Sequence, residues 1–137
     1  QRQRLKKILD KKPVCFNHNL ETVERLQREV RRGANYKSSI NLLKMAKNIF
    51  PNIETKSGIM LGLGESLEEI KNTIKDLKEV NCNQITIGQY LRPSLNHLPV
   101  KKYWEPKEFE YIEKFSKQLG FNKVSCGPLI RSSYHAG

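Results

Sequence analysis

The chain has 137 residues with 25 Lys and Arg against 14 Asp and Glu, a formal net charge of +11. That length supports a single core and one domain spanning residues 1–137, and the sequence carries neither a hydrophobic run long enough to span a membrane nor a signal-peptide pattern. A start at Gln1, within a basic helical pattern, points to a piece of a longer protein. Three cysteines (Cys15, Cys82, Cys126) with no C-x-x-C spacing read as thiols of a reducing compartment, not as a disulfide framework. Residues 1–50 hold 13 cations against 4 anions, while 51–137 hold 12 against 10. The asymmetry favours an anionic partner for the first third, or else a solvated Lys-rich surface. Few aromatics interleave the basic stretch, which argues against nucleic acid.

In chain order, residues 3–12 form a basic helix with Leu5, Ile8 and Leu9 on one face, ended by Pro13. Val14 to Asn19 is a strand that turns polar at its C-terminal end. Residues 22–32 read as a helix with Val23, Leu26 and Val30 inward, stopped by Gly33. A helix over 37–50 carries Ile40, Leu43, Ala46 and Ile49 before Pro51. Ile53 to Leu61 is a strand running into Gly62-Leu63-Gly64-Glu65. Ser66 caps the next helix with Glu69 as its box partner, and Leu67, Ile70, Ile74, Leu77 and Val80 form its apolar stripe. Gln84 to Leu91 is a strand; Pro106 opens a helix closed by Gly120, with Phe109, Ile112, Phe115 and Leu119 inward; Val124 to Ile130 is the last strand.

This alternation predicts an α/β fold of parallel strands joined by crossover helices, either about half of a (β/α) barrel or an open doubly wound sheet. In both, ligands sit at the C-terminal ends of the strands. Those ends read Asn17-His18-Asn19 with Glu21, Gly62-Leu63-Gly64-Glu65, Gly88-Gln89-Tyr90, and Arg131 to Tyr134. Each has a structural explanation as well. Asn17 and Asn19 suit a turn, His18 suits a satisfied structural histidine, and Gly-x-Gly without a third glycine is a weak nucleotide signal. Lys56 is either functional or on an exposed face, and Gln89 and Tyr90 equally suit polar caps on a core.

Six runs, taken together, narrow the choice. They are Phe16-Asn17-His18-Asn19-Leu20-Glu21-Thr22, Arg31-Arg32-Gly33-Ala34-Asn35-Tyr36, Thr55-Lys56-Ser57-Gly58-Ile59-Met60-Leu61-Gly62-Leu63-Gly64-Glu65, Ile87-Gly88-Gln89-Tyr90-Leu91-Arg92-Pro93-Ser94, His97-Leu98-Pro99-Val100, and Arg131-Ser132-Ser133-Tyr134-His135-Ala136. In this order and spacing, the chain from Lys12 onward resembles the C-terminal half of the lipoyl synthase family of radical S-adenosylmethionine enzymes.

The resemblance implies a partial (β/α)6 barrel of the radical SAM type around S-adenosylmethionine and a 4Fe–4S cluster. It implies a second, auxiliary 4Fe–4S cluster held by three cysteines and one serine. The family generates a 5′-deoxyadenosyl radical twice and removes hydrogen from C6 and C8 of an octanoyl chain on a lysine of a lipoyl carrier protein. Each carbon then takes a sulfur from the auxiliary cluster. By resemblance Ser133 is the serine ligand, Arg131 lies beside the cluster, Asn19 and Glu21 bind the ribose hydroxyls of S-adenosylmethionine, Gly62 and Gly64 admit the cofactor, and Gln89 and Tyr90 border its pocket. The expected partners are S-adenosylmethionine and an acidic, octanoylated carrier domain that the basic first third would attract, with no nucleic acid. The compartment is expected to be bacterial cytoplasm, or mitochondrion or plastid.

Departures from the family pattern are Arg32 for proline, Arg92 for glutamine, and Glu105 in place of a hydroxyl cap. Neither family cysteine triplet is present, and Cys15, Cys82 and Cys126 read as ordinary buried thiols. The chain by itself is therefore expected to be inactive. A non-catalytic basic half-barrel that binds an acidic protein or nucleic acid is the alternative reading.

Overall fold

The computed structural model describes residues 2–9 and 15–131. Four strands form one parallel sheet in sequential order: β1 (Cys15–Asn17), β2 (Glu54–Leu61), β3 (Gln84–Gln89) and β4 (Lys123–Gly127). The helices are α1 (Arg2–Leu9), a 3₁₀ turn (Glu24–Leu26) continuing into α2 (Gln27–Val30), α3 (Tyr36–Ile49), α4 (Leu67–Glu79) and α5 (Pro106–Leu119).

The side-chain period of two sorts the sheet into two faces. On β2, Thr55, Ser57, Ile59 and Leu61 are buried, whereas Glu54, Lys56 and Met60 are half-buried. Ile59 and Leu61 join Ile85 and Ile87 in one core with Leu43 of α3, Ile70, Ile74 and Leu77 of α4, and Phe109 and Ile112 of α5. One sheet face thus takes the helices. The opposite face carries the other parity, in registered rows of Lys56 with Gln84, Gly58 with Thr86 and Ser125, and Met60 with Gly88 and Gly127. Helices on one face and sequential strand order make this a partial barrel with an open sheet, and exclude the doubly wound arrangement, which has helices on both faces.

The helix signals read in the sequence act as expected at three ends. The Ser66 hydroxyl accepts from the Glu69 amide at 3.2 Å while the Glu69 carboxylate accepts from the Ser66 amide at 2.9 Å, closing the capping box of α4. Glu105 has no hydroxyl, but its amide donates to the Glu108 carboxylate at 2.8 Å, and Pro106 fills the first turn. Gly120 ends α5 in the left-handed region at φ +98°.

Two expectations are corrected. Residues 22–32 do not make one helix. The backbone of Glu21 is drawn into the sheet, its amide donating to Gly58 O and its carbonyl accepting from Met60 N, so helix starts only at Glu24. Leu67 is 37% exposed and outside the core, whereas Ile70, Ile74 and Leu77 of the same stripe are fully buried. Of the apolar face expected for the first helix, Leu5 packs on Ala46 and Ile53. The side chains of Ile8 and Leu9, Val14, and the helix stop at Pro13 lie outside the described residues. No helix among the described residues is long and apolar enough to cross a membrane.

Candidate functional site

The polar strand ends do meet along one rim, at the C-terminal ends of β1, β2 and β3. After β1 the chain lays Asn19 across the helix-free face of β2. A Cβ on Gly58 would stand 3.2 Å from Asn19 Oδ1 and 3.1 Å from Thr86 O, so glycine at 58 leaves room for that side chain. Asn19 Oδ1 is buried without a hydrogen-bond partner in the structure. Two residues on, Glu21 Oε2 and Thr22 Oγ1 are buried and unpartnered as well. Buried polar atoms are almost always paired, so Asn19 Oδ1 and Glu21 Oε2 leave two acceptor positions open to a ligand's donors, and the Thr22 hydroxyl can accept or donate.

Glu21 is held in an unusual backbone conformation. It is a non-glycine residue at φ +71°, held there by the two sheet bonds to Gly58 and Met60. Burial pushes its carboxyl up to about 7, with the Arg31 guanidinium pulling the other way. Arg31 is half-buried, its Nη1 donating to Leu20 O at 3.0 Å and to Gln27 Oε1 at 3.3 Å. Gln27 Nε2 donates to Leu20 O at 2.9 Å and Thr22 O at 2.7 Å. Gln27 and Arg31 therefore clamp the 20–22 segment from α2 and its end. No motif marks either as a clamp, although their four-residue spacing beside Val23, Leu26 and Val30 places them on the edge of the inward stripe.

His18 is a structural histidine. Its ring stacks on Phe16 at 6.5 Å and Nε2 lies 3.0 Å from Ser39 Oγ. Burial, aided by Arg31, lowers its pKa. Lys56 is half-buried on the helix-free face, alongside Gly58 and Met60.

The Gly62–Glu65 turn is built by its own chain. Glu65, 7% exposed, accepts from Gly62 N and Trp104 Nε1 through Oε2, each at 2.8 Å, and from Leu63 N through Oε1 at 3.0 Å. Gln89 donates to Tyr90 O and Lys102 O and accepts from Trp104 N at 2.9 Å, while the Tyr90 hydroxyl donates to Leu98 O at 2.7 Å. A Cβ on Gly62 would overlap Gln89 Nε2 and crowd Lys102 O, so the close approach that needs glycine at 62 is made by the 100–104 segment. Gly64 sits at φ +112° with its carbonyl bonded to Arg25 Nη2. The same Arg25 holds Glu69 at 2.8 and 3.0 Å, and that hydrogen bond lowers the Glu69 carboxyl to about 2.

After β4 the chain folds back, and Ile130 O occupies the space where Gly88 lacks a Cβ. Arg131 follows at the same rim, exposed, with Nη1 donating to Pro128 O and Ile130 O, each at 3.1 Å. Ser133 and the rest of the tail lie outside the described residues. Among the described residues, no group of three or more His, Cys, Asp or Glu side chains could hold a metal. The cysteines stand apart: Cys82 is buried against Thr55 O and Gln84 O, and Cys126 sits by Phe109 O. Burial raises all three thiols above their ordinary range, although Cys15 and Cys126 are only half-buried, contrary to the expectation of three buried thiols.

Residues 2–77 match the Radical SAM superfamily model, and the chain belongs to that superfamily. Over all 137 residues it is 77% identical to Lipoyl synthase 2 of Prochlorococcus marinus subsp. pastoris, covering 46% of that protein. It is 53% identical over 137 residues to Lipoyl synthase 2 of Nostoc sp., again covering 46%, and 52% identical over 134 residues to Lipoyl synthase of Histophilus somni, covering 42%. The chain thus spans a little under half the length of these relatives. Their names leave the non-catalytic basic module without support.

Proposed function

We propose that this chain is the C-terminal part of a lipoyl synthase, which replaces one hydrogen at C6 and one at C8 of a protein-bound octanoyl chain with sulfur. The observation that carries the reading is the pair of unpartnered, buried acceptors Asn19 Oδ1, lying over Gly58 of β2, and Glu21 Oε2, two residues further along the chain. Paired acceptors of this kind match a vicinal diol, and the ribose of S-adenosylmethionine offers one. When bound, S-adenosylmethionine with its 4Fe–4S cluster supplies the hydrogen-abstracting radical, and an auxiliary 4Fe–4S cluster supplies the sulfur. Asn19 and Glu21 would orient the ribose, the Gly62–Gly64 turn would border the cofactor, and Gln89 and Tyr90 would border its pocket. Ser133 is assigned as a ligand of the auxiliary cluster, and Arg131 as a charge beside it. The cluster thiolates are assigned to the part of the relatives' length that this chain does not span.

The test is anaerobic reconstitution of the full-length protein with iron and sulfide, followed by assay on an octanoylated carrier domain. Lipoyl product with cleavage of S-adenosylmethionine is the expected result. Cleavage with no sulfur transferred to the octanoyl chain would sink the reading.

Glu21 adds a pH signature. Its folded pKa is raised, so its contribution to stability is full below about 4.5 and is lost as pH rises through about 7. A ligand hydroxyl donates best to the ionised form, so affinity for S-adenosylmethionine should rise about tenfold from pH 6 to 7.5 and then level. Calorimetric titration of the reconstituted protein across that range should show the rise, and Glu21→Gln should flatten it. An unchanged slope in the variant would remove Glu21 from the site.

A further inference from the structure

The segment 91–103, between β3 and α5, is neither helix nor strand, yet many bonds fix its shape. Arg92 donates to His97 O at 2.9 Å and Leu95 O at 3.0 Å, and Ser94 Oγ lies 2.8 Å from His97 Nδ1. Lys101 N donates to Gly62 O at 2.7 Å, and Leu98 and Val100 pack inward against Tyr90 and Leu63. A loop tied down this well has buried the apolar groups it can bury. Even so, Leu95 is 85% exposed, Tyr103 67% and Leu91 45%. One exposed leucine needs no explanation, but three large apolar side chains on one ordered rim loop do.

Charge points to the occupant. From Tyr90 to Trp104 there is no Asp or Glu. Among the described residues the guanidinium of Arg92 bonds carbonyls and no carboxylate, which leaves its charge uncompensated. Lys101 is exposed, whereas Lys102 is taken up by Glu108 at 3.0 Å and the Trp104 ring at 3.8 Å. Of the basic first third, α1 is less well placed. α1 rests through Leu5 on Ala46 and Ile53, at the entry to β2 and so at the end of the sheet opposite the rim.

We propose that the 91–103 loop is the docking surface for an acidic protein domain, with Leu95 and Tyr103 as apolar anchors and Arg92 and Lys101 as the cationic flank. The inference rests on the function proposed above, because a domain bearing an acylated lysine must be brought to this rim.

The test compares two substrates of the full-length, reconstituted protein: an octanoylated carrier domain and a short octanoyl-lysine peptide. The double variant Leu95→Ser with Lys101→Glu should raise KM for the carrier about tenfold at low salt, with kcat and peptide turnover unchanged. The charge part of the effect should fade at high salt. Equal effects on carrier and peptide, or none on either, would overturn the proposal. Maleimide labelling of Leu95→Cys gives a second readout: fast in the free protein and slowed by the carrier. A thiol that does not label in the free protein shows the loop covered by the protein's own chain, which also overturns it. Wild-type peptide turnover reports separately on the proposed function. Were that activity absent, protection of Leu95→Cys by the carrier would still decide the docking surface.

Discussion

Glu65→Ala is expected to destabilise the protein by roughly 3–5 kcal/mol, because three buried donors lose their acceptor at about 1–3 kcal/mol each and part of the loss is relieved by relaxation. The donors are Gly62 N, Leu63 N and Trp104 Nε1, and they belong to two separate segments. The carboxyl group of Glu65 therefore joins the turn after β2 to the entrance of α5. Gln89 makes the second joint, holding Lys102 O and Trp104 N. Glu65→Gln should cost less, since it keeps one acceptor oxygen but turns an amide N–H towards a donor. Urea unfolding of the full-length protein and hydrogen exchange at the Gly62 and Leu63 amides would measure both variants. A loss below about 1 kcal/mol in Glu65→Ala would mean that water replaces the carboxyl and that the joint is not structural.

Ser133→Ala, in the full-length reconstituted protein, is expected to abolish lipoyl formation while cleavage of S-adenosylmethionine continues. An alkoxide or hydroxyl oxygen is a poorer match than thiolate for cluster iron, so a serine-held corner is the one most readily released as sulfur leaves. Alanine offers no ligand at that corner. The acceptors Asn19 and Glu21, by contrast, are set by bonds within β1, β2 and the 20–31 segment. Their function should therefore survive the change in the tail. Iron content, cleavage and lipoyl formation measured side by side separate these outcomes. Lipoyl formation unchanged from wild type would make Ser133 a bystander.

Most of the architecture is legible from local signals. Ser66 with Glu69, Pro106 and Gly120 locate their helix ends because each supplies a bond or a dihedral within a few residues. The alternation of strand and helix leaves few parallel topologies. It also puts Asn19, Glu21, Gly62, Gln89 and Arg131 at one end of the strands, where the structure finds them. The site's logic is less legible. Nothing in the sequence distinguishes Glu65, which bonds its own loop, from Glu21, which has an unmet oxygen. Both are glutamates just past a strand, but Glu65 turns back onto two amides of its own turn and meets Trp104 Nε1, whereas among the described residues no donor reaches Glu21 Oε2.

The sequence by itself determined the class of fold, the helix ends and the rim on which a ligand would sit, because periodicity, caps and glycine conformations act over a few residues. Only the tertiary structure decided the rest. It halted helix formation before Glu24, since Glu21 pairs with Gly58 and Met60 of another element. It made His18 a packed side chain against Ser39, and it left Leu95 and Tyr103 in solvent on an otherwise well-bonded loop. Those outcomes depend on contacts between residues twenty to forty apart in the chain or on what fails to cover them, and no local pattern records either.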